Sequence, residues 1–85
     1  MTCAEFEKFL LLADRMITSS SPRKADYGRG YNMGIQIHFD NTQLGSLPDH
    51  YSIAEIARRN GCRNVHAFAC GYRDGCMGMK PEYTA

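Results

Sequence analysis

A chain of 85 residues with ten lysines and arginines against nine acidic residues carries a formal net charge of +1, which gives no global pull toward nucleic acid or another polyanion. Hydrophobic residues at 44% and charged residues at 22% exclude wholesale disorder and a membrane protein. The length is enough for one domain with a thin core, burying roughly 60 to 65 per cent of the surface the unfolded chain exposes, so residues 1–85 are read as a single helical domain.

Thr2-Cys3-Ala4-Glu5 has the spacing of a capping box and predicts a helix start. Phe6, Phe9, Leu10, Ala13, Met16 and Ile17 recur at three- and four-residue steps, one face of a helix running over about 3–18. Ser19-Ser20-Ser21-Pro22 stops it and opens the next, since serine favours the N-cap and proline the first helical position. That second helix covers about 22–39. Within it Ile35-Gln36-Ile37-His38-Phe39 alternates apolar and polar as a strand does, and a strand there is the alternative reading, although no partner strand is evident elsewhere.

Asp40 to Pro48 is rich in turn formers and reads as an exposed connection. Ser52-Ile53-Ala54-Glu55 is a second capping box, with Tyr51 placed to staple against Ile56, and predicts a short helix over 53–60. Gly61 fits a left-handed position after it. A fourth helix over 64–77 follows, and Gly78 to Ala85 reads as a tail. The expected class is all-α, a compact bundle of about four helices.

An offset of 41 residues lays Tyr27-Gly28-Arg29-Gly30-Tyr31-Asn32-Met33-Gly34 over Phe68-Ala69-Cys70-Gly71-Tyr72-Arg73-Asp74-Gly75. Both segments read aromatic, small, x, Gly, Tyr, x, x, Gly. Helical spacing puts Tyr27, Gly30, Tyr31 and Gly34 on one face, and Phe68, Gly71, Tyr72 and Gly75 on another. Each interior glycine costs a helix roughly 1 kcal/mol, so close packing of the two helices should offset the loss. One such face could also meet a second copy in a homodimer.

Arg29 to Gly34 with Gly71 to Gly75 resembles the paired helices of ribosome modulation factor and related small bacterial proteins, which implies two glycine-lined helices. That family's Cys-Pro-Tyr turn, Gly-Trp pair and basic balance are absent, so ribosome binding does not follow. Glu55 to Cys62 resembles the first helix and turn of bacterial helix-turn-helix modules, with Ala57 at the tight contact and Gly61 in the turn. This implies a recognition helix from Asn64, with Arg58, Arg59 and Arg63 at the phosphates. Against it, Val65 to Tyr72 is poor in base-reading side chains and looks like core.

Cys62, His66 and Cys70, spaced by four, suggest a zinc-stapled module with Cys76, His38 or His50 as a further ligand. Successive steps of about 6 Å along a helix prevent all three from meeting one ion, so structural thiols are expected, with no metal and no cofactor. No nucleophile motif or phosphate loop is present, and no catalytic residue is assigned. The apolar run Phe9 to Ala13 is far short of the roughly 20 residues of a membrane span, no signal peptide is evident, and the four cysteines read as reduced thiols, which together suggest the cytoplasm.

The expectation is a small non-enzymatic binding protein, similar in size and style to the inhibitors that phages and mobile elements encode, such as anti-CRISPR proteins. It would occlude a host protein or nucleoprotein complex, with direct nucleic-acid contact as a further option. Arg58, Arg59, Arg63 and Arg73, with Tyr51 and Tyr72, are the candidate partner-binding residues, because arginine and tyrosine dominate interface hot spots. A helix-turn-helix regulator is the alternative.

Overall fold

The computed structural model describes residues 2–39 and 50–82. It contains four α-helices, α1 (Cys3–Ile17), α2 (Pro22–Phe39), α3 (His50–Arg59) and α4 (Val65–Cys76), and no strand among the described residues. Thr2 caps α1 through the expected box: its hydroxyl accepts from the Glu5 amide at 3.1 Å and the Glu5 carboxylate turns back to the cap. Ser21 Oγ accepts from the Lys24 amide at 3.5 Å ahead of Pro22, and Asn64 caps α4 by accepting from the Ala67 amide at 3.0 Å.

One expected boundary needs correction, and one open alternative closes in favour of the main reading. Ser52 does not open α3, which begins at His50, so the serine lies within the first turn. Ile35 to Phe39 continue α2 as helix. Their alternation has a packing cause: Ile35 is buried against α1 whereas Ile37 packs toward α3. A helix with apolar neighbours on two sides need not show a single stripe. The predicted connection from Asp40 to Pro48 lies outside the described residues.

Contacts run α1 to α2, α2 to α4 and α4 to α3, so the helices lie in a row within a body of 32 × 31 × 17 Å. A row cannot enclose one central core and instead makes two. In the first, Phe9, Ala13 and Met16 of α1 meet Tyr27, Tyr31 and Ile35 of α2, with Ala67. In the second, Ile53 and Ala57 of α3 meet Phe68 and Tyr72 of α4, with Cys62.

The glycine repeat lies between the two cores, where α2 and α4 cross in parallel. A Cβ on Gly30 would run into the Phe68 carbonyl oxygen and sit 2.9 Å from the Tyr72 nitrogen; one on Gly71 would run into the Tyr27 carbonyl oxygen and sit 2.9 Å from the Tyr31 nitrogen. A Cβ on Gly34 would sit 2.8 Å from the Cys76 nitrogen, and one on Gly75 would sit 2.7 Å from the Ile35 nitrogen. Each contact maps onto its mate by the offset of 41, so the sequence repeat is a two-fold axis in space. The aromatic pairs obey it too: Tyr27 and Tyr31 stack at 6.2 Å, as do Phe68 and Tyr72. Burying such rings is worth about 1.5 to 3 kcal/mol apiece, which outweighs the glycine penalty of roughly 1 kcal/mol per position.

Both α3 and α4 end on a left-handed glycine with paired backbone bonds. The Cys62 amide donates to the Ala57 carbonyl with Gly61 at φ 75°, and the Met79 amide donates to the Asp74 carbonyl with Gly78 at φ 67°, the Schellman arrangement. Beyond α4 the predicted tail is anchored through residue 82. The Tyr31 hydroxyl donates to the Met79 carbonyl at 2.6 Å, and the Tyr27 hydroxyl donates to Asp74 Oδ2 at 2.6 Å while accepting from the Glu82 amide at 2.8 Å.

Candidate functional site

Because α2 and α4 run parallel and each follows directly on a turn, the two interhelical turns, residues 18–21 and 60–64, lie at the same end of the row. Asp26, 3% exposed, ties them together. Its Oδ2 accepts from the amides of Arg63 at 3.1 Å and Asn64 at 2.8 Å, and its Oδ1 pairs with Arg29 at 2.9 Å. A carboxylate at the start of α4 is favoured by the helix dipole as well as by these donors.

The same end collects charge. Arg15 closes α1, Arg23, Lys24 and Arg29 lie in the first half of α2, Arg58 and Arg59 close α3, and Arg63 lies in the turn. These are seven of the ten lysines and arginines of the chain. The acidic residues on the same stretches are Asp14, the buried Asp26, and Glu55, which sits 3.7 Å from Arg59. A chain of nearly balanced charge is thus locally basic. Glu5 and Glu7 open α1 at the far end.

Of the predicted partner-binding residues, Arg58, Arg59 and Arg63 are brought together and exposed. Arg73 is exposed but belongs to the far end of α4, beside Asp74 at 3.5 Å, so it is not part of the cluster. Tyr72 is corrected: it is 4% exposed within the second core, where the face it shares with Phe68 turns to α3, and it is not available to a partner. The side chain of Tyr51 lies outside the described residues.

Two depressions border the arginines. An open groove of about 510 Å³ is lined by Ile17, Arg29, Asn32, Met33, Gln36, Ile37 and Asn60. A cleft of about 300 Å³ lies between the turns, with Ser19, Ser20 and Pro22 on one side, Gly61 and Arg63 on the other, and Asp26 and Arg29 between them. Sequence reasoning missed Arg29, Ser19 and Ser20 here. The signal was available, since a repeat of helix pairs with parallel second helices brings their turns side by side.

Helix α4, which the helix-turn-helix resemblance makes the reader of bases, is packed between α2 and α3. Its exposed residues are His66 and Arg73. The cysteines diverge: Cys62 is in the second core, whereas Cys70 packs against the first and lies 3.7 Å from His66 Nε2. Among the described residues no three His, Cys, Asp or Glu side chains gather to hold a metal ion. Burial pushes the Cys62 and Cys76 thiols up, with the Asp26 charge adding to the effect at Cys62, away from the thiolate that metal binding and nucleophilic attack require.

Among the described residues no helix is long and apolar enough to cross a membrane. No protein-family model, curated protein or solved structure matches the chain.

Proposed function

We propose that the protein is a small non-enzymatic binding protein that acts by covering part of a host protein or nucleoprotein complex, in the manner of the inhibitors encoded by phages and mobile elements, such as anti-CRISPR proteins. The observation that carries this reading is the gathering of Arg58, Arg59 and Arg63 with Arg29 at one end of a small fold whose interior is taken up by packing, where Arg29 and Arg63 line a cleft. Arginine at a preformed, rigid surface is well suited to a charged partner, because its planar fork makes paired hydrogen bonds at small entropic cost. Helix α3 and the turn are held by the Schellman cap and by Asp26, so the arginines start from a fixed backbone.

The helix-turn-helix regulator draws less support. A recognition helix needs several base-reading side chains along one open face, and α4 offers His66 and Arg73. A zinc-stapled module draws less still, given the divergent cysteines.

The test is affinity capture from the native host by the folded protein, compared with the charge-reversed Arg58→Glu/Arg59→Glu variant. The captured complex is then assayed for its own activity with and without added protein. Loss of capture on charge reversal, together with inhibition by the unmodified protein, is the expected result. Equal capture by the variant would mean that the arginine turn is not the interface.

A further inference from the structure

We infer that the arginine-rich end seats the phosphate backbone of a nucleic acid, with one phosphate held in the cleft between the two turns by Arg29 and Arg63. This inference rests on the binding reading above and names the chemistry of the surface that is covered.

The cleft has the donors that a phosphate needs. Arg63 is exposed and has no ion-pair partner among the described residues. Arg29 gives one guanidinium nitrogen to Asp26 at 2.9 Å and keeps its side chain 38% exposed, leaving further donors of its five for a ligand. The Ser19 hydroxyl oxygen accepts from the Ser21 amide at 3.2 Å, so its proton is left to donate. Ser20 is exposed beside it. The carboxylate in the wall, Asp26, is already met by two amides and Arg29, which reduces its repulsion of an anion.

An acidic protein surface would use the same arginines, but the distribution of apolar groups argues against it. Protein interfaces are centred on aromatic or aliphatic anchors within a polar rim, whereas nucleic-acid interfaces are polar and strongly positive. The large hydrophobic residues exposed among the described residues are Leu11, Met77 and Met79. None is on the turns or on the helix ends that meet there. The apolar groups at this end, Ile17 beside both depressions and Met33 and Ile37 in the groove, are half-buried, and what stands out from it is charge and hydroxyls.

Fluorescence anisotropy of labelled single-stranded RNA and duplex DNA, each titrated with the full chain, tests the inference, with polyglutamate as the competing carboxylate. Binding to at least one of the two is expected, and the pair of probes tells which backbone is preferred. If about three phosphates are neutralised, affinity should fall about 40-fold for the duplex and about 20-fold for the single strand between about 50 and about 200 mM salt, and Arg58→Ala or Arg63→Ala should each reduce the salt slope by about one. Lys8→Ala, at the far end of α1, should leave both unchanged, and circular dichroism checks that all variants are folded.

Two results would overturn the inference: neither nucleic acid bound at about 50 mM salt, or polyglutamate displacing nucleic acid at equal charge concentration. If either occurred while Arg58→Glu/Arg59→Glu still abolished capture of a host complex, the phosphate assignment would fall and the binding reading would stand. Loss of both would remove both.

Discussion

Gly71→Ala adds one methyl group where the two central helices cross, 2.9 Å from the Tyr31 nitrogen and closer still to the Tyr27 carbonyl oxygen. Carbon needs about 3.5 Å or more from such atoms. The obstructing atoms are helix backbone, so no rotamer change makes room and α2 must withdraw. Overpacking of this kind costs about 1 to 3 kcal/mol, and the rigid obstacle argues for the upper end. Alanine returns about 1 kcal/mol of helix propensity, leaving a net loss of about 2 kcal/mol. For a domain of this size that is a fall of about 8 to 16 °C in Tm, readable by circular dichroism and by urea unfolding. Gly30→Ala, its mate across the two-fold axis, should lose the same to within about 0.5 kcal/mol, and the double variant should lose less than the sum because the helices have already parted. A Gly71→Ala protein as stable as the parent, or more stable, would refute the close crossing, since propensity alone acts in that direction.

Alkaline pH should unfold the protein in a defined way. Burial raises the Tyr27 hydroxyl well above its ordinary value, helped by its bond to Asp74, and pushes Tyr31 up to about 12; Tyr72, Cys62 and Cys76 are raised too, again chiefly by burial. The native state holds these protons after the unfolded chain has released them, so stability is full below about pH 8.5, where unfolded thiols begin to ionise. It should fall more steeply above about pH 10, by about 1.4 kcal/mol per pH unit for each group involved. Urea unfolding across this range, with Tyr31→Phe removing one group's share of the slope, checks the sign; stability rising with alkali would contradict it. Truncation after Met77 removes the acceptor of the Tyr31 hydroxyl and the Glu82 donor to Tyr27, and should cost about 2 kcal/mol or more at neutral pH, because hydroxyls in the first core lose partners. Asp26→Asn should cost about 2 kcal/mol through weakened bonds to Arg29 and to the Arg63 and Asn64 amides, and proteolysis should then cut the 60–64 turn faster while leaving the α1–α2 turn unchanged.

Helix content and much of the packing were legible in the residues. Thr2 to Glu5, Ser21-Pro22 and Gly61 mark helix ends through chemistry local to a few residues, and the 41-residue repeat announced the pair of helices that touch. What local chemistry could not reveal is which neighbour each face meets. Ile35 and Ile37 imitate a strand because two different cores claim them, and Tyr72, read as a surface hot spot, is the buried mate of Tyr31 by the very repeat that was noticed. Asp26 gave no signal, since a single carboxylate early in a helix looks like an ordinary surface residue until the second turn arrives beside it. The basic end was hidden for a related reason: charges scattered along the chain balance in the total and separate only when the helix directions are known.

The two-fold axis has a consequence for how freely the two halves can vary. When two copies of one hairpin meet across such an axis, every residue must serve on both sides at once, because the contact is made by the same patch twice. Here the halves are joined in one chain, and that obligation is lifted everywhere except at the crossing, where Gly30, Gly34, Gly71 and Gly75 still match. Away from it the halves specialise. Asp74 stands where the other half has Met33, Phe68 lacks the hydroxyl that lets Tyr27 hold the tail, and Arg63 stands where the other half has Pro22. The first half anchors the tail through Tyr27 and Tyr31, a specialisation that a symmetric pair of identical chains could not have.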